Sequence, residues 1–206
     1  MADYFALLDE PRRPWLDPEV LKAKFHTLTA TVHPDRVHRA TEPGKQEANQ
    51  RYAELNAAYQ CLREPKERLH HLLELERGNK VEDVQKISPG TMDLFMEISQ
   101  FCRETDAFLA EKARVTSPLL KVQLFETAMA LTDRLNLLLK HLDGKREALV
   151  AQMRNLNTAW ETAPPVGSST RIHVLPCSRL EHIYRDFGYL KRSTQQLQER
   201  LVRLTL

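Results

Sequence analysis

The sequence predicts an all-α fold: a helical hairpin with short flanking helices, joined to a C-terminal three-helix bundle containing long helices. Three observations carry that expectation. Apolar residues recur at three- and four-residue spacing along nearly the whole chain, which places them on one face of successive helices. Segments of alternating Val and Ile, the mark of strands, are absent. The chain holds only 6 Gly in 206 residues and is rich in Leu, Glu, Lys, Arg and Gln, the residues that lose least on entering a helix.

The elements follow in order. Tyr4 to Leu8 reads as a short helix that closes the hairpin. Asp17 is a good N-cap and Pro18 a good first helical residue, so the first long helix starts there. Leu21, Phe25, Leu28 and Val32 form its stripe. It ends near Val32-His33, because a following proline disfavours the α conformation. A polar loop from His33 to Gly44 follows, closed by Pro43-Gly44. The second long helix is expected from about Lys45 to Leu62, with Ala48, Tyr52, Leu55, Tyr59 and Leu62 facing the first. Pro65 restarts the chain, and Lys66 to Glu76 reads as a short helix ending at Gly78.

Residues 78–88 are polar and read as a hinge, which divides the chain into 1–77 and 89–206. Ser88-Pro89 and Ser117-Pro118 are helix-start signals. Helix 89–114 carries Met92, Phe95, Met96 or Ile98, Phe101 or Cys102, and Leu109. Leu131, Leu135, Leu138, Leu142, Leu149, Met153, Leu156 and Trp160 keep one register across Gly144. One long helix is therefore favoured, with a break at Gly144 as the alternative, since a mid-helix glycine costs up to ~1 kcal/mol relative to Ala. Residues 162–176 hold Pro-Pro, Gly-Ser-Ser and a further Pro and read as a loop. The last helix, from about Ser178, carries Leu180, Ile183, Tyr184, Phe187, Leu190, Leu197, Leu201 and Leu204.

Charge and cysteine usage narrow the function. With 30 Lys+Arg against 28 Asp+Glu, the formal net charge of +2 argues against a general polyanion binder. Cys61, Cys102 and Cys177 stand far apart with no CxxC or CxxH pair, so neither a disulfide framework nor a zinc finger is expected. No apolar run approaches the ~18 residues that span a bilayer. The first ten residues carry acidic groups and no basic region, unlike a signal or transit peptide. The expected location is a bacterial cytoplasm, with the mitochondrial matrix as the alternative.

The informative motif is His33-Pro34-Asp35. Alone, a tripeptide is a weak signal. Here it sits between two amphipathic helices of matching length. Pro34 ends the first helix, and His33 and Asp35 are presented on the turn. Lys22, Lys24, Arg36 and Arg39 surround them. A basic face with one acidic tip suits an acidic groove that holds a basic partner for Asp35. The plainer reading is a helix breaker beside a solvated charged face.

These residues resemble a J-domain, the module through which co-chaperones act on DnaK-type chaperones. Asn56-Ala57-Ala58-Tyr59-Gln60-Cys61-Leu62-Arg63-Glu64-Pro65 is similar to the J-domain N-x-A-Y-x-x-L-x-x-P signature, and Arg68 takes the usual arginine position. Tyr4 to Leu8, Leu16-Asp17, His70 to Gly78 and the ending Gln195 to Leu201 resemble HscB, the iron–sulfur cluster co-chaperone. The resemblance implies a two-domain adaptor that is not itself an enzyme. The J-domain, through His33, Pro34, Asp35, Lys22, Lys24, Arg36 and Arg39, would stimulate ATP hydrolysis by the DnaK-type chaperone HscA. The bundle would hold the cluster scaffold IscU. In the family that site lies on the first bundle helix with an aromatic from the last. Phe95-Met96-Glu97 matches its start, Gln100 to Glu104 departs from it, and Tyr184 or Phe187 would be the aromatic.

Other readings are weaker. Phe95, Met96 and Phe101 are as readily core residues. Neighbours such as His70-His71 point about 100° apart on a helix and do not share one ion easily. His141 and His182 are lone helical histidines. No P-loop, GxGxxG or nucleophile motif occurs, so no catalytic residue, cofactor or metal is expected. A general J-protein for other clients is the alternative function, although the 78–88 hinge lacks a Gly/Phe-rich run. A nucleic-acid role is disfavoured, because Asp35 would face phosphate. Asp35→Asn removes the charge and little volume; it should abolish stimulation of a DnaK-type ATPase while the circular dichroism spectrum stays unchanged.

Overall fold

The computed structural model describes residues 2–33, 41–80 and 89–205, with the side chains of 89–91 and 121 outside the description. Among the described residues every regular element is helical: α1 Tyr4–Leu7, α2 Pro18–Val32, α3 Glu42–Arg63, α4 Pro65–Arg77, α5 Pro89–Lys112, α6 Pro118–Glu161, α7 Arg171–Val174 and α8 Cys177–Thr205. The all-α expectation holds, and so does the single long helix: α6 runs through Gly144 without interruption.

Local chemistry explains most boundaries. Asp3 accepts hydrogen bonds from the Phe5 and Ala6 amides, and Asp17 from those of Glu19 and Val20, so both cap helix N-termini. His33 leaves α2 with extended geometry, φ −61° and ψ 134°, as the residue before a proline must. Gly78 closes α4 in the left-handed region at φ 69°, where a glycine carries no Cβ penalty. Two boundaries differ from expectation. α3 begins at Glu42 rather than Lys45, because Thr41 caps it and Pro43 is tolerated in a first turn, whose amides need no helical acceptor. Within the expected 162–176 loop, residues 171–174 form one helical turn, α7.

The chain divides into two compact units that do not follow its order. Met1–Asp83 groups with Ala151–Tyr184, and Val84–Val150 with Arg185–Leu206. The boundary expected at residues 78–88 lies partly outside the described residues. The long helices α6 and α8 each contribute to both units.

In the first unit α2 and α3 form the hairpin. Phe25 stacks on Tyr59 with centroids 4.3 Å apart, and His33 meets Tyr52 at 5.8 Å, edge to face. Numbering rises on one helix as it falls on the other, so the pair is antiparallel. Phe5, Leu8, Leu21, Leu55, Ala58, Leu62, Leu69, Leu72 and Leu73 make the core. Arg68 is buried among them. Its Nε donates to the Pro14 carbonyl at 2.8 Å and its Nη1 to the Leu62 carbonyl at 2.6 Å. Burial lowers its pKa to about 10, which still leaves it charged at neutral pH.

The later segments pack on this core through polar contacts. The Asn157 side chain accepts from the Trp15 amide and donates to the Trp15 carbonyl, both at 2.9 Å. Arg154 lies over the Trp15 ring at 4.5 Å. Arg171 donates to both oxygens of Glu76, at 2.8 and 2.9 Å, and to the Pro164 carbonyl at 2.7 Å. Arg77 pairs with Glu181 at 2.8 Å.

In the second unit α5, the first part of α6 and most of α8 share a core of Leu94, Ile98, Phe101, Phe108, Leu135, Leu138, Leu142, Leu190 and Leu197. Phe95 meets Tyr189, Asp106 pairs with Arg200, and Lys112 Nζ donates to the Leu204 carbonyl. Numbering rises together, so α5 and α8 run parallel. α6 runs against them, with Arg134 paired to Glu104 at 2.8 Å and stacked on Phe101.

Removing the Asn157 amide leaves two backbone groups of Trp15 without their partner. Asn157→Ala should destabilise the full chain by about 1–3 kcal/mol, read from the urea midpoint at unchanged slope.

Candidate functional site: a helical-hairpin turn and an exposed apolar patch

The turn between α2 and α3 begins at His33. Pro34, Asp35, Arg36 and Arg39 lie outside the described residues. His33 is half-buried, and the contact with Tyr52 fixes where its ring leaves α2. Tyr52 therefore belongs to the surroundings of the motif. Its place in the apolar stripe of α3 marked it for the hairpin, yet nothing in the sequence says which ring of that stripe faces His33.

The two lysines of α2 differ. Lys22 is exposed and available for a partner. Lys24 is engaged within the chain: its Nζ pairs with the Glu10 carboxylate at 2.9 Å and donates to the Asp9 carbonyl at 2.6 Å. The Glu10 side chain is 3% exposed, so this ion pair fastens α2 to the segment after α1. Its expected role on the basic face is thus joined by a structural one. Nothing in the local sequence marks Glu10 as a buried acid.

α4 holds the N-terminus. The Tyr4 amide donates to His71 Nε2 at 3.1 Å, and the imidazole stacks on Phe5. His71 must be neutral at Nε2 to accept that bond. Burial lowers its pKa below the ordinary 6.5, with Arg12 and His70 adding to the shift and Asp3 and Glu74 opposing it. The His70-His71 pair has divergent partners: His70 faces Glu74 and the Tyr184 ring.

On α5 the ambiguous apolar residues are sorted by exposure. Leu94, Ile98, Phe101 and Cys102 are buried, whereas Met92, Phe95 and Met96 face solvent with Glu97. Met96 is 63% exposed. The core stripe and the patch are adjacent faces of one helix. Gln100, where the family run departs, is also exposed and donates to Glu104 at 2.9 Å. The two aromatics expected from the last helix are both buried. Tyr184, 3% exposed, packs in the first unit against His70 and Lys66. Phe187 is buried in the second unit. Both rings turn inward because they lie on the apolar stripe of α8. The α8 ring in contact with Phe95 is Tyr189.

The three cysteines are free thiols, with Cys102 and Cys177 buried. Burial pushes the Cys61 thiol up to about 12, helped by Glu67, and raises those of Cys102 and Cys177. Among the described residues no three His, Cys, Asp or Glu side chains gather as a metal site, and no helix is long and apolar enough to cross a membrane.

Comparison with known proteins agrees with this geometry. Residues 3–71 match the family model of the DnaJ domain. Those residues therefore carry a DnaJ domain. Two solved structures are similar to it. One is chaperone HscB from Vibrio cholerae, at 23% identity, covering 95% of this chain and 99% of that one with a TM-score of 0.47. The other is human co-chaperone protein HscB, at 19% identity, covering 98% of this chain and 81% of that one with a TM-score of 0.58. The likeness to the human structure spans both units, so the chain has an HscB-type fold.

The His71 linkage has a definite sign. The unfolded chain takes up the proton near pH 6.5 and the folded chain only at lower pH. The stabilisation is complete above pH 6.5 and is lost as pH falls through the folded pKa. His71→Gln keeps an acceptor but does not titrate; it should flatten the fall in stability below pH 6.5, measured by urea unfolding at neutral and acidic pH.

Proposed function

We propose that this chain is a co-chaperone of iron–sulfur cluster biogenesis. Its J-domain docks on a DnaK-type chaperone of the HscA kind and stimulates ATP hydrolysis there. Its second unit carries the cluster scaffold, a protein of the IscU kind, to that chaperone. The hydrolysis belongs to the partner, and this chain supplies binding and orientation.

The observation that carries the reading is the Met92, Phe95 and Met96 patch on α5, flanked by Glu97, in a chain that also has a DnaJ domain. Three large apolar side chains left in solvent beside a complete core stripe mark a surface meant to be covered. Methionines suit a binding face because they adapt to the partner's shape. Glu97 adds a charge that sets orientation. In the J-domain, His33, Pro34 and Asp35 make the activating contact, and Lys22, Arg36 and Arg39 steer the approach to an acidic groove. Residues 1–77 act as the J-domain, 78–88 as the connection and 89–206 as the scaffold-binding part. The proposed site of action is the bacterial cytoplasm, with the mitochondrial matrix as the alternative.

The test is the ATPase rate of the chaperone with this chain and with the scaffold, separately and together. A rise well above the sum of the two separate effects is expected. A rise with this chain but no scaffold effect would leave a general J-protein with other clients. Met96→Ala and Phe95→Ala should each weaken scaffold binding about tenfold, a loss of ~1.4 kcal/mol. Glu97→Ala should weaken it less. All three should leave stimulation by this chain alone unchanged. Loss of helicity in these variants would show that the patch serves the fold.

A further inference from the structure

A second apolar surface lies on the second unit, on the first turns of α6. Leu119, Leu120, Val122, Phe125 and Met129 are all at least 47% exposed. Leu119, Val122, Phe125 and Met129 follow at three- and four-residue steps, so they form one stripe. Beside the stripe is a crevice of about 690 Å³, walled by Leu124, Phe125, Ala128, Met129 and Thr132 of α6 and by Leu204 at the end of α8. The α5 patch does not contribute to it.

We propose that a second copy of this chain docks here, with the α6 helices packed antiparallel across a two-fold axis. Two arguments select that occupant. The first is area. Large apolar side chains at these exposures leave on the order of 500 Å² uncovered, near the largest patch that a monomer ordinarily shows. Doubled across a two-fold axis, this reaches the roughly 1,000 Å² at which specific interfaces begin. The second is self-complementarity. A two-fold interface sets the same patch against itself, so it needs a projection and a hollow on one surface. The stripe supplies the projection in Phe125, and the crevice beside it supplies the hollow. With the axis between Phe125 and Met129, each Phe125 ring meets Met129 of the second copy, a favourable sulfur–aromatic contact. Val122 then faces Thr132 of the second copy, at the wall of the crevice. The spacing from 122 through 125 and 129 to 132 is the alternation that antiparallel helix pairs use.

Sedimentation velocity of the full chain, over a concentration series into the high micromolar range, tests this. The expected result is a reversible monomer–dimer equilibrium. Phe125→Glu and, separately, Val122→Glu should each shift it to monomer with an unchanged circular dichroism spectrum, since both side chains stand in solvent. Leu137→Glu is the control: that residue is also exposed on α6 but lies about two turns beyond Met129, and its variant should dimerise like the parent. A parent chain that stays monomeric at every concentration overturns the proposal and leaves this face to a different protein. Dimers that persist in both stripe variants, or that are lost equally in Leu137→Glu, also overturn it by placing the contact elsewhere.

Discussion

The guanidinium of Arg68 is the tie on which the N-terminal unit depends. It is buried, and it donates to two carbonyls from separate segments: Pro14, in the segment before α2, and Leu62, at the open C-terminal end of α3. One side chain thus joins the approach to the hairpin, the hairpin's second helix and α4. A buried cation without a carboxylate is costly unless carbonyl dipoles replace water around it. Here they do, and hydrophobic packing of Leu69, Leu72 and Leu73 around α4 keeps water away.

Around this base the same unit gathers later chain. Asn157, Arg154, Arg171 and Glu181 come from residues 151–184; Arg154 lies over the Trp15 ring, and the other three each meet a polar group of the first 77 residues. The contacts of Asn157, Arg171 and Glu181 are charge-assisted or doubly hydrogen-bonded, so they specify geometry more than they add stability. A J-domain is compact enough to be complete in one stretch of sequence. In this chain its surface is also the seat of the long-helix ends, and loop 162–176 is pinned by Arg171 through Glu76 and Pro164.

The functional surfaces use ordinary helix geometry. An α-helix has room for a core stripe and a second apolar face about 150° away. α5 puts Leu94, Ile98 and Phe101 on the first face and Met92, Phe95 and Met96 on the second. α6 does the same at its start.

The sequence by itself determined the helices and the motif. Asp17-Pro18, Pro65, Pro118 and Gly78 act within one turn of their own positions, so the boundaries they set are readable without knowing the fold. His33-Pro34-Asp35 and the Asn56 to Pro65 run are legible for the same reason. Thr41 shows the limit of such reading: a cap three residues early carried Pro43 and Gly44 into α3. Only the tertiary structure decided which apolar residues of α5 face out, that Lys24 is held by Glu10, that Tyr189 rather than Tyr184 or Phe187 meets Phe95, and that residues 151–184 join the N-terminal unit. Those outcomes rest on partners from tens to more than a hundred residues away. A periodic stripe states that one face is buried, but the neighbour that buries it comes from elsewhere in the chain.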